Sequence, residues 1–298
     1  MNHRPFIQND ILESLVRIAR EAADVVMAVY ASDFTVRGKS DASPVTEADE
    51  AAEAIIVAAL RTLTPDITIV AEEAVAAEGP PAVGSRFWLV DPLDGTREFV
   101  SRNGEFTVNI ALIEHGEPVM GVVFAPALGL LYAGAIGLGA FIEDDSPEAD
   151  EIRRPPPEGD EQSGQATFAQ EQEASRAGHP TRRRAIHCRA APSGGVTCVA
   201  SRSHGDADAL DVFLGNYLDG RPLASLTNAG SSLKLCLIAA GEADLYPRLG
   251  RTMEWDIAAG HAVLAAAGGQ VRDLEGEPLR YGKPGFENPH FVASGLPG

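Results

Sequence analysis

Cysteine is scarce in this chain: there are three in 298 residues, Cys188, Cys198 and Cys236, far apart and without a C-x-x-C pair. An odd count at such spacing argues against a disulfide framework and fits a reducing compartment. His187 and Cys188 with Cys198 make only three soft ligands, at a spacing that matches no zinc motif, so no soft-metal site is expected. Positive charge is short as well, 24 Lys and Arg against 43 Asp and Glu, for a formal charge of −19. A phosphate backbone would be repelled, which excludes a non-specific nucleic-acid binder and favours cations, or ligands escorted by cations. Nowhere do 18 consecutive apolar residues occur, and the opening "MNHRPFIQNDILESLV" has no basic segment leading into an apolar run. These absences predict a cytoplasmic protein without a transmembrane segment. No internal repeat is present either. What the chain does have is 45% hydrophobic residues, over a length that suits one large domain or two ordinary ones with a substantial core.

Apolar residues at Ile11, Leu15, Ile18, Ala22, Val25 and Val29 recur at three-to-four spacing and predict a helix over 11–29. A second is predicted over 47–63, with Thr46 and Asp49 spaced as a capping box and Pro65 as its stop. "ITIVAEE" and "FWLVD" read as short buried strands, each ending in acid. "FTVNIALIEHGEPVMGVVFAP", with a turn near His115 and Gly116, and "LGLLYAGAIGLGAFIE" predict an antiparallel meander. Residues 144–181 differ in character: ten acidic residues, three arginines and hardly an aliphatic side chain. Such a segment cannot bury enough apolar surface to offset its ordering entropy, so a mobile loop is expected. Beyond it, "AIHCRA", "VTCVASRS" and "ADLYPRL" read as strands, and "DADALDVFLGNYL", "SSLKLCLIAAG" and "WDIAAGHAVLAAAGG" as helices. The mixed order predicts a layered α+β architecture: an α+β half over 1–143, the loop 144–181, and an α/β half over 182–298.

Asp91 and Asp94 follow the apolar run 87–90, where an unpaired carboxylate is costly to bury. Glu72 and Asp256 occupy comparable places, at a strand end or a helix start. Oxygen ligands without His or Cys suit Mg²⁺ better than zinc. Pro92 restrains the turn and helps direct both aspartates, with the Leu93 carbonyl, to one point. Gly95 and Thr96 read as a helix start, whose free N–H groups favour a phosphate oxygen. The Thr96 hydroxyl could hold a water, with Asp49 as proton acceptor if it lies within reach. Plainer readings stand beside these. D-x-x-D-G-T is also ordinary turn and cap wording, Asp49 could merely complete its box, Asp256 could merely cap the last helix, and Glu72 with Glu73 could be a solvated pair.

In order along the chain, "SPVTEAD", "AEE", "DPLDGT" and "WDIAAGHAVLAAAGG" resemble the motifs of the inositol monophosphatase superfamily of Mg²⁺-dependent, lithium-sensitive phosphatases. Within it, "DPLDGTREFVSRNGEFTVNIALIEHG", "SRSH" and "GSSLKLCLIAAGEADLYPRLG" are similar to the 3′(2′),5′-bisphosphate nucleotidase branch, and the likeness covers nearly everything except the acidic loop. Arg97 stands where that branch usually has lysine, and the loop is longer than the branch leads one to expect. The resemblance implies a layered α/β/α/β/α sandwich. It implies two or more Mg²⁺ ions on Glu72, Asp91, the Leu93 carbonyl, Asp94 and Asp256, with Glu73 behind them, and Thr96 with Asp49 activating water. Substrate contacts are implied for Glu72, Gly95, Thr96, His204, Ser231, Lys234, Arg248 and Asp256. The implied substrate is a small nucleotide, 3′(2′)-phosphoadenosine 5′-phosphate, a by-product of sulfate assimilation, cleaved to AMP and phosphate. A homodimer is implied too, as is peripheral contact with the cytoplasmic face of the inner membrane, although no basic amphipathic helix supports the latter. Lys234 and Arg248 fit physically, because a second phosphate far from the metals needs its own cations in so acidic a protein. An inositol monophosphatase or sugar bisphosphatase on the same fold is the first rival reading, and a non-catalytic module that binds divalent cations the second.

Overall fold

The computed structural model describes residues 4–38, 44–145, 182–201 and 207–296. Helix α1 covers Arg4–Tyr30. It starts ahead of the predicted Ile11, since proline is tolerated in a first turn and no breaker separates Pro5 from the apolar stripe. A two-residue ladder follows, β1 (Arg37–Gly38) against β2 (Pro44–Val45), and then α2 over Glu47–Leu63, as predicted. Strand β3 (Thr68–Ala71) stops short of the acids in "ITIVAEE", because Glu72 and Glu73 open a helix, α3 (Glu72–Glu78). β4 spans Arg86–Asp94 with a bulge between Asp91 and Asp94, and α4 covers Thr96–Val100.

The predicted meander is β5 (Thr107–Glu114), β6 (Glu117–Ala125), β7 (Leu130–Ala135) and β8 (Gly139–Asp144), its first turn at His115 and Gly116. The expected mobile loop falls almost wholly on 146–181, outside the described residues. β9 (Arg182–Ile186) pairs antiparallel with β8, ending before Cys188, and completes a seven-stranded sheet in the order β3-β4-β5-β6-β7-β8-β9. Then come β10 (Val196–Ser201), α5 (Ala207–Tyr217), β11 (Leu223–Ala229), α6 (Leu233–Ala239), β12 (Leu245–Arg248), α7 (Glu254–Ala266), β13 (Gln270–Asp273) and β14 (Phe291–Ser294). Their strands form a second sheet in the order β11-β10-β12-β14-β13.

Side chains alternate across each strand, so the first sheet buries both faces. Trp88, Val90, Ile110 and Val122 pack against Leu15, Val26, Ile56 and Leu60 of α1 and α2. Phe87, Leu89, Ala111 and Val123 face the other way, onto Leu235, Ile238, Ala258 and Val263 of α6 and α7. Those two helices also touch Val199, Tyr246, Phe291 and Ala293 of the second sheet, and so form the middle layer. Outside it, Leu214 and Leu218 pack on Cys198, Leu245 and Val292. The order of layers is α/β/α/β/α. Among the described residues no helix is long and apolar enough to cross a membrane.

α7 approaches β6 most closely at Gly121, where a Cβ would come within 2.5 Å of the Ala259 carbonyl oxygen and 2.9 Å of the Ala262 Cβ. Gly121→Ala should therefore push the middle layer off the first sheet, at about 1–3 kcal/mol. Urea denaturation checks this: the midpoint is expected to fall with the slope unchanged.

Candidate active site

The N-terminus of α2 supplies the first component. Asp49 Oδ2 accepts hydrogen bonds from the Thr46 N–H and from Thr46 Oγ1, both at 2.8 Å, while the Ala48 N–H donates to Thr46 Oγ1 at 3.2 Å. This is the capping box read in the sequence. The other oxygen, Oδ1, lies 3.3 Å from Thr96 Oγ1, so Asp49 serves its helix with one atom and Thr96 with the other. Thr96 Oγ1 is also 3.3 Å from the Leu93 carbonyl, and its single hydrogen can satisfy only one of the two acceptors at a time. Gly95, just before it, has φ 86°, and a Cβ there would fall 2.3 Å from Ser231 Oγ. Only glycine fits that approach.

The β4 bulge supplies the second component. Asp91, 2% exposed, accepts from the Leu93 N–H at 3.0 Å. The bulge then re-aims the strand, so that Asp94 rejoins the ladder opposite Thr107. Burial pushes the Asp94 carboxyl up to about 6, helped by the charges of Glu72 and Glu98 and opposed by Lys234. Asp256, in the first turn of α7, accepts from the Met253 N–H at 2.8 Å and so caps its helix. Burial, then Asp94 and Glu72, hold its carboxyl well above the usual carboxylate range.

Glu72 is placed by a residue that sequence reasoning passed over. Glu53, one turn after Asp49 on the inward face of α2, accepts from the Glu73 N–H at 2.7 Å and the Ala74 N–H at 2.8 Å, anchoring the first turn of α3. An acid among the inward alanines of that helix was the signal available for it.

The facing wall is the turn 230–232 and β12. Ser231, at φ 46°, donates to the carbonyls of Asp94 or Glu105, each 2.8 Å away, so its hydroxyl ties backbone to backbone. The Gly230 N–H donates to Glu105 Oε2 at 2.8 Å. Lys234, 6% exposed, donates to the carbonyls of Ala229 and Ser231 and sits 5.4 Å from the Tyr246 ring centre. Burial lowers its pKa to about 8, against the pull of Asp94. Arg248, also buried, donates from Nη2 to the Arg251 carbonyl at 2.9 Å, and its charge acts on Asp256.

One cleft is thus lined by Glu72, Asp94, Gly95, Thr96, Ser231, Lys234, Arg248 and Asp256. Asp49 reaches it through Thr96, Asp91 and Leu93 belong to the adjoining bulge, and His204 lies outside the described residues. Among the described residues, no three His, Cys, Asp or Glu side chains close into a metal cage. The donor set still suits Mg²⁺, which keeps several of its own waters: the donors are all oxygen, and Asp94 and Asp256 are carboxyls whose charges act on each other within one cleft.

Residues 8–294 match the model of the inositol monophosphatase family. The 3′(2′),5′-bisphosphate nucleotidase CysQ of Escherichia coli O157:H7 is 42% identical over 289 residues, which cover 95% of this chain and 99% of that protein. The protein of the same description from Buchnera aphidicola is 36% identical, over 97% of this chain and 96% of its own. Among solved structures, CysQ from Bacteroides thetaiotaomicron, described as a bacterial member of the inositol monophosphatase family, superposes with a TM-score of 0.72 at 34% identity, covering 96% and 97% of the two chains. The Thermotoga maritima IMPase superposes with a TM-score of 0.67 at 26% identity, covering 96% and 92%. The order of layers, the acid-lined cleft and a match that runs almost from end to end agree: the chain belongs to the inositol monophosphatase family.

Proposed function

We propose that this chain is a Mg²⁺-dependent 3′(2′),5′-bisphosphate nucleotidase that cleaves 3′(2′)-phosphoadenosine 5′-phosphate to AMP and phosphate. The observation that carries it is a cleft of two signs, with Glu72, Asp94 and Asp256 set against the buried cations Lys234 and Arg248. The extended likeness to proteins described by that activity supports it. In this reading Glu72, Asp91, the Leu93 carbonyl, Asp94 and Asp256 hold Mg²⁺, which supplies Lewis acidity at the scissile phosphate and acidifies a bound water.

The chain's own groups do the rest. Thr96 gives its hydrogen to Asp49 Oδ1 and keeps a lone pair to accept from a water beside it. The two donors from Thr46 hold Asp49 as the acceptor in that relay. Gly95 lets Ser231 close against the turn, and its backbone borders the cleft where the phosphate would lie. Lys234 braces the turn 230–232 and lends its charge, while the Arg248 guanidinium and His204 serve the second phosphate. Ser231 contributes through the turn it ties. The half over 1–143 brings most metal ligands, and the half over 182–298 brings Asp256 and the nucleotide contacts. A cytoplasmic, homodimeric protein completes the reading.

The test is phosphate release from 3′-phosphoadenosine 5′-phosphate against inositol 1-phosphate, with Mg²⁺ and with a chelator. Preference for the bisphosphate, lost on chelation, is expected. Arg248→Ala should raise KM for the bisphosphate roughly tenfold or more, the loss of a charge-assisted hydrogen bond, and leave the monophosphate little changed. An equal effect on both substrates would favour a monophosphatase, and metal binding without phosphate release would favour a cation-binding module.

A further inference from the structure

Asn109 is a polar interruption in an apolar strand. β5 reads TVNIALIE, and Asn109, 1% exposed, is buried within it. Its Nδ2 lies 3.1 Å from Ser232 Oγ and 3.5 Å from Asp94 Oδ2. The surrounding bonds fix which end of the amide points there. Ser232 gives its only hydrogen to the Asp256 carbonyl, so its oxygen can only accept, and the neighbouring amide atom must be the NH₂. A continuous path results, from the Asp94 carboxylate through the Asn109 amide and the Ser232 hydroxyl to the first turn of α7. It links the β4 bulge of the first sheet to the helix that carries Asp256.

This path leaves polar atoms unsatisfied. Asn109 Oδ1 is buried without a hydrogen-bond partner, and so is Oγ1 of Thr107, two residues earlier on the same strand face and the ladder partner of Asp94. A half-satisfied amide weakens a core relative to an apolar side chain of the same shape. Packing alone therefore does not explain an asparagine here. Its charge does suit the place: a neutral donor can steer a carboxylate without competing with a cation for it, as a lysine would, or adding repulsion, as an aspartate would.

We propose that Asn109 is a positioning residue. It holds Asp94 Oδ2 and, through Ser232, the first turn of α7 in one fixed relation, so that Asp94 and Asp256 face the same divalent cation. The proposal rests on the reading of those two aspartates as metal ligands.

The decisive measurement is Mg²⁺ binding by isothermal titration calorimetry, without substrate, on the wild type, Asn109→Leu and Asn109→Ala, together with the melting temperature of each metal-free protein. Partners that orient a ligand are typically worth 10–100-fold in metal affinity, so Kd for Mg²⁺ should rise by about that factor in both variants. Metal-free Asn109→Leu should melt no lower than the wild type, which a purely structural role would not allow. An unchanged Mg²⁺ Kd in the variants, an affinity loss that only follows loss of folded protein, or a wild type that binds no Mg²⁺ would each overturn the proposal. A wild type that binds Mg²⁺ yet releases no phosphate from 3′-phosphoadenosine 5′-phosphate defeats the nucleotidase reading alone, and a shifted Kd in the variants then still supports Asn109.

Discussion

Asp94→Asn is expected to remove phosphate release almost completely while leaving the metal-free fold at least as stable as the wild type. The two halves of that expectation share one cause. Asp94 is held in a place where burial and the charges of Glu72 and Glu98 disfavour its ionised form. Asparagine has nearly the same shape and no charge, so it relieves this repulsion without opening a cavity. In the function proposed above, the same charge is what the cation needs. Loss of a direct ligand should exceed the 10–100-fold typical of an outer partner, giving a fall in kcat/KM of more than about 100-fold. Added Mg²⁺ should then reverse the order of stability, because binding to the native state raises the wild type and not the variant. Calorimetric melting with and without Mg²⁺, beside steady-state kinetics, measures both halves. A variant that turns over normally, or that is stabilised by Mg²⁺ as the wild type is, would remove Asp94 from the site.

Asp49→Asn should lower kcat by about 10²–10⁴-fold, the usual worth of a positioned base, with KM little altered. The asparagine oxygen can still accept from the Thr46 N–H and hydroxyl, which keeps the capping box and the start of α2. Its NH₂ then faces Thr96, whose hydroxyl becomes an acceptor and turns its own hydrogen to the Leu93 carbonyl. One of the two lone pairs of Thr96 is then occupied and its hydrogen no longer points at a carboxylate, so a proton taken from water has no acceptor behind Thr96. Thr96→Val should cause a loss of similar size, and the double variant should be no worse than either single one, since residues that act as a unit are not additive. If the two losses multiplied, Asp49 and Thr96 would be working separately.

Much of this site could be read from the residues because short motifs carry several of its parts at once. "DPLDGT" contains the bulge, both aspartates, the Leu93 carbonyl, the glycine and Thr96 within six residues. The plain and the functional readings of Asp49 need not compete, since one oxygen closes the capping box and the other lies beside Thr96. The wording was less informative where contacts are distant or elements short. Glu53 braces α3 across 20 positions of sequence, and nothing local reveals such a partner. Ser231 reads as a substrate contact, and nothing local shows that its hydroxyl also lies 2.8 Å from the carbonyls of Asp94 and Glu105. β13 and β14 are four residues each, too short for alternation to stand out. β11 is exposed over most of its length and carries no apolar periodicity to read. "AEE" was assigned to the end of a strand because its acids follow an apolar run. The helix start there is favoured by N–H groups donating to Glu53, an acceptor on another element.

α7 has a consequence for how the protein is made. The strands it covers in the first sheet are all synthesised before α7 itself. Until residues 254–266 leave the ribosome, Phe87, Leu89, Ala111 and Val123 have only α6 of the middle layer to rest on, and much of an apolar face stands open to water and to other nascent chains. A stop between the end of the first sheet and that helix is therefore expected to leave a sticky fragment instead of a smaller working protein, with the need for a chaperone falling on that stretch of translation.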